Sequence, residues 1–471
     1  MKKFLCLLSI CFIFIQCSKE KEPIYSNPEK PLVKNGFKVE VDEALKIAEN
    51  APNVFGEVDT KASLKEVGDI DIITTFETKG NGIKDTLMYV VNYKNQMGYT
   101  FISADDRCGG ILAYIKEGNF KLKDESSDNL PTYLYTLIKN EQISKRLNIN
   151  DPVEKSIKTK DLSRLNKRVY TPNMSSIHMG PVTPALCLRV FKQHSSYGDF
   201  KNFQGERKSY MYYRNNGCIG TRRYTETKVN VYPMLTTNWG QHSPYNDNAP
   251  LIDGKHALAG CVAIAAAQVM AYHEFPVNYP SNINNGEKTN LDILRNIKSI
   301  SNFKLESSKE SVAKFLRTLG DLYENSWGLD GTYSDTGMGS EVFEKMGYPR
   351  PCDIINYNTL RATNSLDNNR PIITRGNSGS NGHSWVIDGY ITVTQGDDYL
   401  YFDEDLLLND CDYGEVIYSV NTYLSCNFGW NGICNGYYLE GAFNVSEGNE
   451  YPYKTKTNYT QDIQIIPDIH K

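Results

Sequence analysis

A chain of 471 residues is long enough for more than one domain and for a sizeable core. Its formal net charge is −5 and it carries no basic stripe, so composition gives no footing for nucleic-acid binding. Tyrosine is unusually frequent at 32 residues and asparagine is common, a mix that suits an exported, strand-rich protein.

The chain opens with MKKFLCLLSICFIFIQCSKEKE: two lysines, an apolar run from Phe4 to Ile15, then Cys17. The run is too short for a membrane-spanning helix and has the layout of a secretory signal. A cysteine directly after the apolar run resembles a bacterial lipoprotein signal, in which residues 1–16 are removed and Cys17 is lipidated. Gln16 departs from the small residue usual at that point, which leaves an ordinary cleaved signal as the alternative. No later segment is apolar for long enough to span a bilayer. The expectation is a cell-envelope lipoprotein at the outer membrane or surface, held to the membrane through a lipid anchor only.

Residues 17–36 are rich in lysine, glutamate and proline and read as a lipidated tether. In Val41–Asn50, the residues Val41, Ala44, Leu45 and Ala48 share one helical face. Three strand-like runs follow, Leu87–Tyr93, Gly98–Ala104 and Gly109–Ile115, the first two joined by a hairpin connection. A helix over Asn129–Leu147 closes this unit, so residues 37–150 are expected to form a small α+β domain. Residues 151–228 are polar, basic and poor in apolar periodicity. They read as a linker plus an irregular insertion, and Lys158–Arg168 as an exposed site for a proteolytic cut. From residue 229 to 471 apolar content rises. Helices come first, including Ser311–Asn325, and strands last, an order that predicts a second α+β unit.

Removal of a signal and lipidation account for Cys6, Cys11 and Cys17, leaving Cys108, Cys187, Cys218, Cys261, Cys352, Cys411, Cys426 and Cys434. Their spacing is irregular and lacks a CxxC pair, so no metal site is expected. Export permits disulfides.

Cys261 heads an Ala-rich apolar helix that runs to His273. A helix N-terminus favours a thiolate, so Cys261 is either a small core residue or a nucleophile. His273 lies along the same helix, roughly 18 Å from the thiol, and cannot serve as its base. His242 and His256 lie in loops close upstream, and distance does not exclude them. His383, in NGHSWVIDGY, precedes an apolar strand, a rigid mount for a general base, and Gly382 beside it permits close approach of backbone or substrate. Asn427 can accept the imidazole N–H and hold the tautomer, and Trp430 can shield that bond from water. Gln241 can donate its side-chain amide to an oxyanion, with the Cys261 backbone N–H as the second donor.

Together WGQ…PYN, GCVAIAAAQVMAYHEFP, GHSWVIDGY and NFGWNGICNGYYLE resemble the streptopain family of papain-like cysteine peptidases. The stretch YVVNY…GYTFISADDRCGGILAYIKEGNF resembles that family's inhibitory prodomain. The resemblance implies an α+β papain-like fold, with a helix-mounted cysteine and a strand-mounted histidine behind a small α+β prodomain at 37–150. It implies a cysteine endopeptidase made as a zymogen. Cys261 would be the nucleophile, His383 the base and Gln241 the oxyanion donor, with Asn427 or its neighbours orienting the imidazole. Gly382 and Trp430 would border the substrate. Protein or peptide substrates and the chain's own prodomain are the implied partners, and no cofactor is required. Phe428 stands where the family usually carries Trp, and the groove loop Gly331–Ser340 is short. Residues 175–228 and 391–425 read as insertions. Two other readings differ in chemistry: a catalytically silent surface-binding lipoprotein on a peptidase scaffold, and an acyltransferase or deamidase of transglutaminase type.

Overall fold

The computed structural model describes residues 38–56, 65–74, 86–105, 108, 110–121, 135, 138–139, 142, 218–378, 381–402, 411–440 and 463–471. The expected signal, tether and cut site, and Cys187, lie outside these residues, and so do the side chains of Cys218 and Cys411.

Helix α1 (Val41–Val54) buries Ala44, Ala48, Ala51 and Val54 and runs one turn beyond the expected end, with Pro52 in its last turn. It packs on an antiparallel meander of β1 (Val67–Thr74), β2 (Thr86–Tyr93), β3 (Tyr99–Ser103) and β4 (Ile111–Ile115). Strands β2, β3 and β4 match the three expected runs to within two residues. Of the helix expected at 129–147, residues 135, 138, 139 and 142 are helical, and the rest lie outside the described residues.

The second unit begins with β5 (Cys218–Val231), then a small hairpin of β6 (Leu251–Ile252) and β7 (Lys255–His256). Helix α2 (Cys261–His273) and helix α3 (Glu306–Leu322) follow, then β8 (Ile355–Asn356), α4 (Thr359–Asp367), β9 (Ile372–Ser378), β10 (Asn381–Phe402), β11 (Cys411–Asn427), β12 (Gly436–Leu439) and β13 (Gln464–Ile466). The architecture is α+β, as expected. Helix α3 starts a turn earlier than its apolar periodicity predicted. Its buried stripe of Val312, Phe315, Leu316 and Leu319 packs in one cluster with Ile264, Val269 and Met270 of α2.

Residues 218–228 correct the reading of an irregular insertion. They form most of β5, which pairs antiparallel with β10 from Val231↔Tyr390 out to Cys218↔Tyr401. The other edge of β10 carries β11, from Val386↔Asn427 to Phe402↔Cys411. The end of one expected insertion therefore pairs with the other as a three-stranded ribbon. Backbone hydrogen bonds to a central strand hold β5 there, and such pairing leaves no helical apolar period to read.

One sheet joins the two units, in the order β1-β2-β3-β4-β12-β11-β10-β9-β13-β8, with β5 on β10. The join is the antiparallel pairing of β4 with β12, where Gly436 faces Ile115 and Tyr437 faces Tyr114. Phe55 stacks on Tyr114 with centroids 4.9 Å apart and on Tyr437 at 5.3 Å, and it meets Tyr423 edge-on at 5.1 Å. The Tyr423 hydroxyl donates to the Ile111 carbonyl at 2.7 Å. A single apolar cluster therefore crosses the boundary between the units.

Gly436 is required at this junction, because a Cβ there would stand 2.2 Å from the Tyr114 carbonyl oxygen and 2.9 Å from Ile115 Cα. Gly436→Ala is expected to force β4 and β12 apart and to cost about 2 kcal/mol, within the usual range for a damaging point substitution. Hydrogen exchange should rise at the β4 amides while the α2 amides stay protected. Unchanged exchange in β4 would contradict this account of the junction.

Candidate active site

Helix α2 is apolar on every side, and all of its residues except Cys261 and Tyr272 are buried. A helix without a polar face must be enclosed. Here α3 lies on one side and the sheet on the other, where Val386 of β10 and Ile373 of β9 join the same cluster. Gly260 precedes the helix at φ 92°, a left-handed backbone that favours glycine. A Cβ at Gly260 would meet Thr332 Cγ2 at 3.1 Å and Asn325 Nδ2 at 3.2 Å.

Cys261 is a half-buried free thiol. It accepts hydrogen bonds from backbone N–H groups, including those of Ser384 and Val262. Ser384 directly follows His383 on β10, so the fold brings the helix cysteine and the strand histidine together. Burial pushes the Cys261 thiol up, and it outweighs the N–H groups that draw it down.

His383 Nε2 lies 2.9 Å from the Phe428 carbonyl oxygen. A carbonyl only accepts, so Nε2 carries the proton and Nδ1 is left as the acceptor. Aromatic rings surround the imidazole: Trp385 at 6.4 Å between centroids, nearly parallel, with Phe428 and Trp430 each at 6.2 Å. Phe428 and Trp385 are fully buried, and their own centroids are 5.5 Å apart. Burial pushes the imidazole down to about 4, against the upward pull of the Phe428 carbonyl. Both groups are thus held neutral in this state.

Asn427 does not contact the imidazole. Its Nδ2 donates to the Thr237 carbonyl at 2.7 Å, and its Oδ1 accepts from Gln268 Nε2 and from the Gly429 N–H, each at 3.2 Å. The expected contact is made by its neighbour, through the Phe428 main chain. In sequence an asparagine side chain is conspicuous and a carbonyl is invisible, which is why the reading favoured Asn427. The Phe428 N–H in turn donates to Asn435 Oδ1 at 2.9 Å.

Gln241 is buried, and its carbonyl accepts from the Ala259 N–H at 3.1 Å, which ties its loop to the residues just before Cys261. The loop is anchored upstream where the Leu235 N–H donates to Asp388 Oδ2 at 2.9 Å. Gly382 is exposed and Trp430 half-buried. His273 lies at the far end of α2, with Nδ1 3.3 Å from the Tyr348 hydroxyl, and His256 Nδ1 contacts the Ala249 carbonyl at 2.8 Å. The loop Gly331–Ser340 packs against the site segments: Thr336 Oγ1 lies 2.6 Å from Ser384 Oγ, and Thr332 Oγ1 donates to the Leu258 carbonyl at 2.7 Å. Among the described residues Cys352, Cys426 and Cys434 are free as well.

Sequence reasoning missed Trp385, Ser384 and Gln268. Trp385 had a signal, since residues two apart in a strand share a face. Gln268 had one too: it is the polar residue inside an otherwise apolar helix, two turns from Cys261.

Residues 239–438 match the model of the Peptidase C10 family, and residues 36–141 that of the Spi protease inhibitor. Streptopain of Streptococcus pyogenes is 24% identical over 245 residues, a match that takes in 44% of this chain and 54% of streptopain. The chain thus spans about half the length of that curated relative. A fragment of Prevotella intermedia prointerpain A aligns over 85% of this chain and 99% of its own length, at 18% identity and a TM-score of 0.46. Active interpain A of the same organism aligns over 50% of this chain and 93% of its own, at 23% identity and a TM-score of 0.34.

A histidine held neutral by folding favours the folded state above its ordinary value of 6.5, and that advantage is lost as pH falls from 6.5 towards about 4. The melting temperature of Cys261→Ala is therefore expected to drop across this window. Cys261→Ala/His383→Gln should show a shallower drop. Equal slopes in the two variants would mean that folding does not hold His383 neutral.

Proposed function

We propose that the chain is the zymogen of an exported cysteine endopeptidase, because residues 239–438 match the Peptidase C10 family model and residues 36–141 that of the Spi protease inhibitor. The observation that carries this reading is Cys261 at the head of a buried helix, hydrogen-bonded by the backbone of the strand that presents His383, whose Nε2–H is fixed on the Phe428 carbonyl.

In this mechanism His383 Nδ1 takes the Cys261 proton as the sulfur attacks the scissile carbonyl carbon. The tetrahedral oxyanion is met by the Gln241 side-chain amide and the Cys261 backbone N–H. The imidazolium returns its proton to the leaving amine, and a thioester remains on Cys261. Water, deprotonated by His383, attacks the thioester and releases the acid product and the thiol. Neutral thiol and neutral imidazole are the correct starting forms for this proton transfer. Trp385 and Phe428 already pack around the imidazole, and closure of a substrate over the half-buried Trp430 would keep water from the His383–Phe428 bond. Gly382 and Trp430 border the acceptor site in this reading.

The proposed organisation has a signal at 1–16, a lipidated tether at 17–36 with Cys17 as the anchor, and an inhibitory unit at 37–150. A basic segment from 151 precedes the catalytic unit, whose ribbon begins with β5. The inhibitory unit reaches the catalytic sheet through the β4–β12 pairing. Tether, inhibitor and enzyme thus lie on one covalent path, and a cut after residue 150 would separate the enzyme from its lipid.

Cys261→Ala is expected to abolish casein hydrolysis without unfolding the protein, since alanine fits a helix start. His383→Ala should cost orders of magnitude in turnover, and Gln241→Ala about 10²–10³-fold, the usual loss for one oxyanion donor. His256→Ala should be near wild type. An active His383→Ala beside a dead His256→Ala would reassign the base.

Cell fractionation with an antibody to the C-terminal unit tests the anchor and the cut together. Cys261→Ala should stay full-length and membrane-bound, while wild type yields a shorter soluble species. Equal processing of both would assign the cut to another protease, and processed wild type confined to the membrane would refute release.

A further inference from the structure

Gln268 is a fully buried amide within α2, seven residues after Cys261 and on the same helical face. Its side-chain hydrogen bonds go to segments that carry the site. Its Oε1 accepts from the Thr237 hydroxyl at 3.0 Å and from the Trp239 backbone N–H at 3.2 Å, just upstream of Gln241. Its Nε2 donates to Asn427 Oδ1 at 3.2 Å, one residue before the carbonyl that holds His383. Main-chain partners fix the orientation of both amides. The Trp239 N–H can only meet an oxygen of Gln268. The Thr237 carbonyl can only meet the Asn427 NH₂, which leaves Asn427 Oδ1 for Gln268 and Gly429.

From this geometry we infer that Gln268 is a positioning residue: its amide locks the Gln241 loop and the Phe428 acceptor of His383 onto the helix that carries Cys261. The inference rests on the reading of Cys261 and His383 as a catalytic pair. Three functional groups on three separate segments must hold their mutual geometry within a fraction of an ångström. Gln268 is the residue that bonds to two of those segments from the third. Asn427 extends its reach, and this gives the asparagine a role beneath the site rather than beside the imidazole. Removing the Gln268 amide leaves the Trp239 N–H and Asn427 Oδ1 short of a partner in a dry interior, and the two segments are free to drift from α2.

Two near-isosteric variants test this. Gln268→Met removes every polar contact. Gln268→Glu keeps all three when protonated, because a carboxylic acid can accept from Thr237 and Trp239 and donate to Asn427. When ionised it turns that donor into an acceptor facing Asn427 Oδ1. The ordinary carboxyl value is about 4.3, and burial raises it. Each full-length chain is matured by bead-bound wild-type enzyme, which is then removed, and rates are normalised by titration of the active-site thiol.

Gln268→Met is expected to lower kcat by about 10–100-fold with KM changed less than about threefold, the pattern of a lost transition-state arrangement. Gln268→Glu should retain kcat within about fivefold of wild type near about pH 5, then fall at least about tenfold further against wild type by about pH 8. A purely structural role would lower the melting temperature and leave kcat and its pH dependence per titrated site unchanged, and that result overturns the inference. If Gln268→Met does not fold, a flat Gln268→Glu to wild-type ratio across this range overturns it on its own. Hydrolysis by wild type that does not depend on Cys261 would refute the peptidase reading itself, and the inference with it.

Discussion

Helix α2 has no face for water, and this constraint organises the second unit. An apolar helix in a folded chain must be covered on all sides, and α3 and the β9–β10 sheet cover it. Burial of its body leaves its first residue at the seam between helix and sheet. There the Ser384 N–H reaches Cys261, and the next residue back along β10 is His383. The glycine before the helix lets the chain turn in beneath Thr332 and Asn325. The candidate site thus follows from packing this apolar helix, with Cys261 at its end.

The same burial sets the electrostatics. Taking Cys261 and His383 from water disfavours both charged forms, so the thiol is pushed up and the imidazole down to about 4. The Phe428 carbonyl and the N–H groups at the thiol act in the opposite direction without overcoming desolvation. The carbonyl that orients His383 belongs to the chain between β11 and β12, and Asn435, Asn427 and Gly429 fix that segment's main chain.

That segment also leads into β12, which pairs with β4 of the N-terminal unit. Tyr99 of β3 places its hydroxyl 3.5 Å from Cys434 Sγ, and the Asn435 carbonyl accepts from the Lys116 N–H at 3.4 Å. The N-terminal unit therefore grips the stretch 434–439, a few residues past the carbonyl that holds His383. A shared sheet and a shared aromatic cluster make this contact part of the core of both units.

Much of this protein was legible in one dimension. The near-continuous apolar pattern marked α2, period and turn residues marked α1 and β2–β4, and Cys261 and His383 stood out as candidates because few side chains can serve as a nucleophile or a base. These features are local, and local patterns survive in a linear text. Tertiary structure alone decided the rest. It set a main-chain carbonyl rather than the Asn427 amide on the imidazole, because main-chain groups have no letter in the sequence. It made strand β5 from residues without apolar periodicity, because backbone pairing to β10 needs no such period. It turned the thiol upward against the helix N-terminus, because desolvation depends on what packs over a group. And it joined the two units in one sheet at Gly436, because strand pairing across more than three hundred residues is fixed by contacts that only the folded chain brings together.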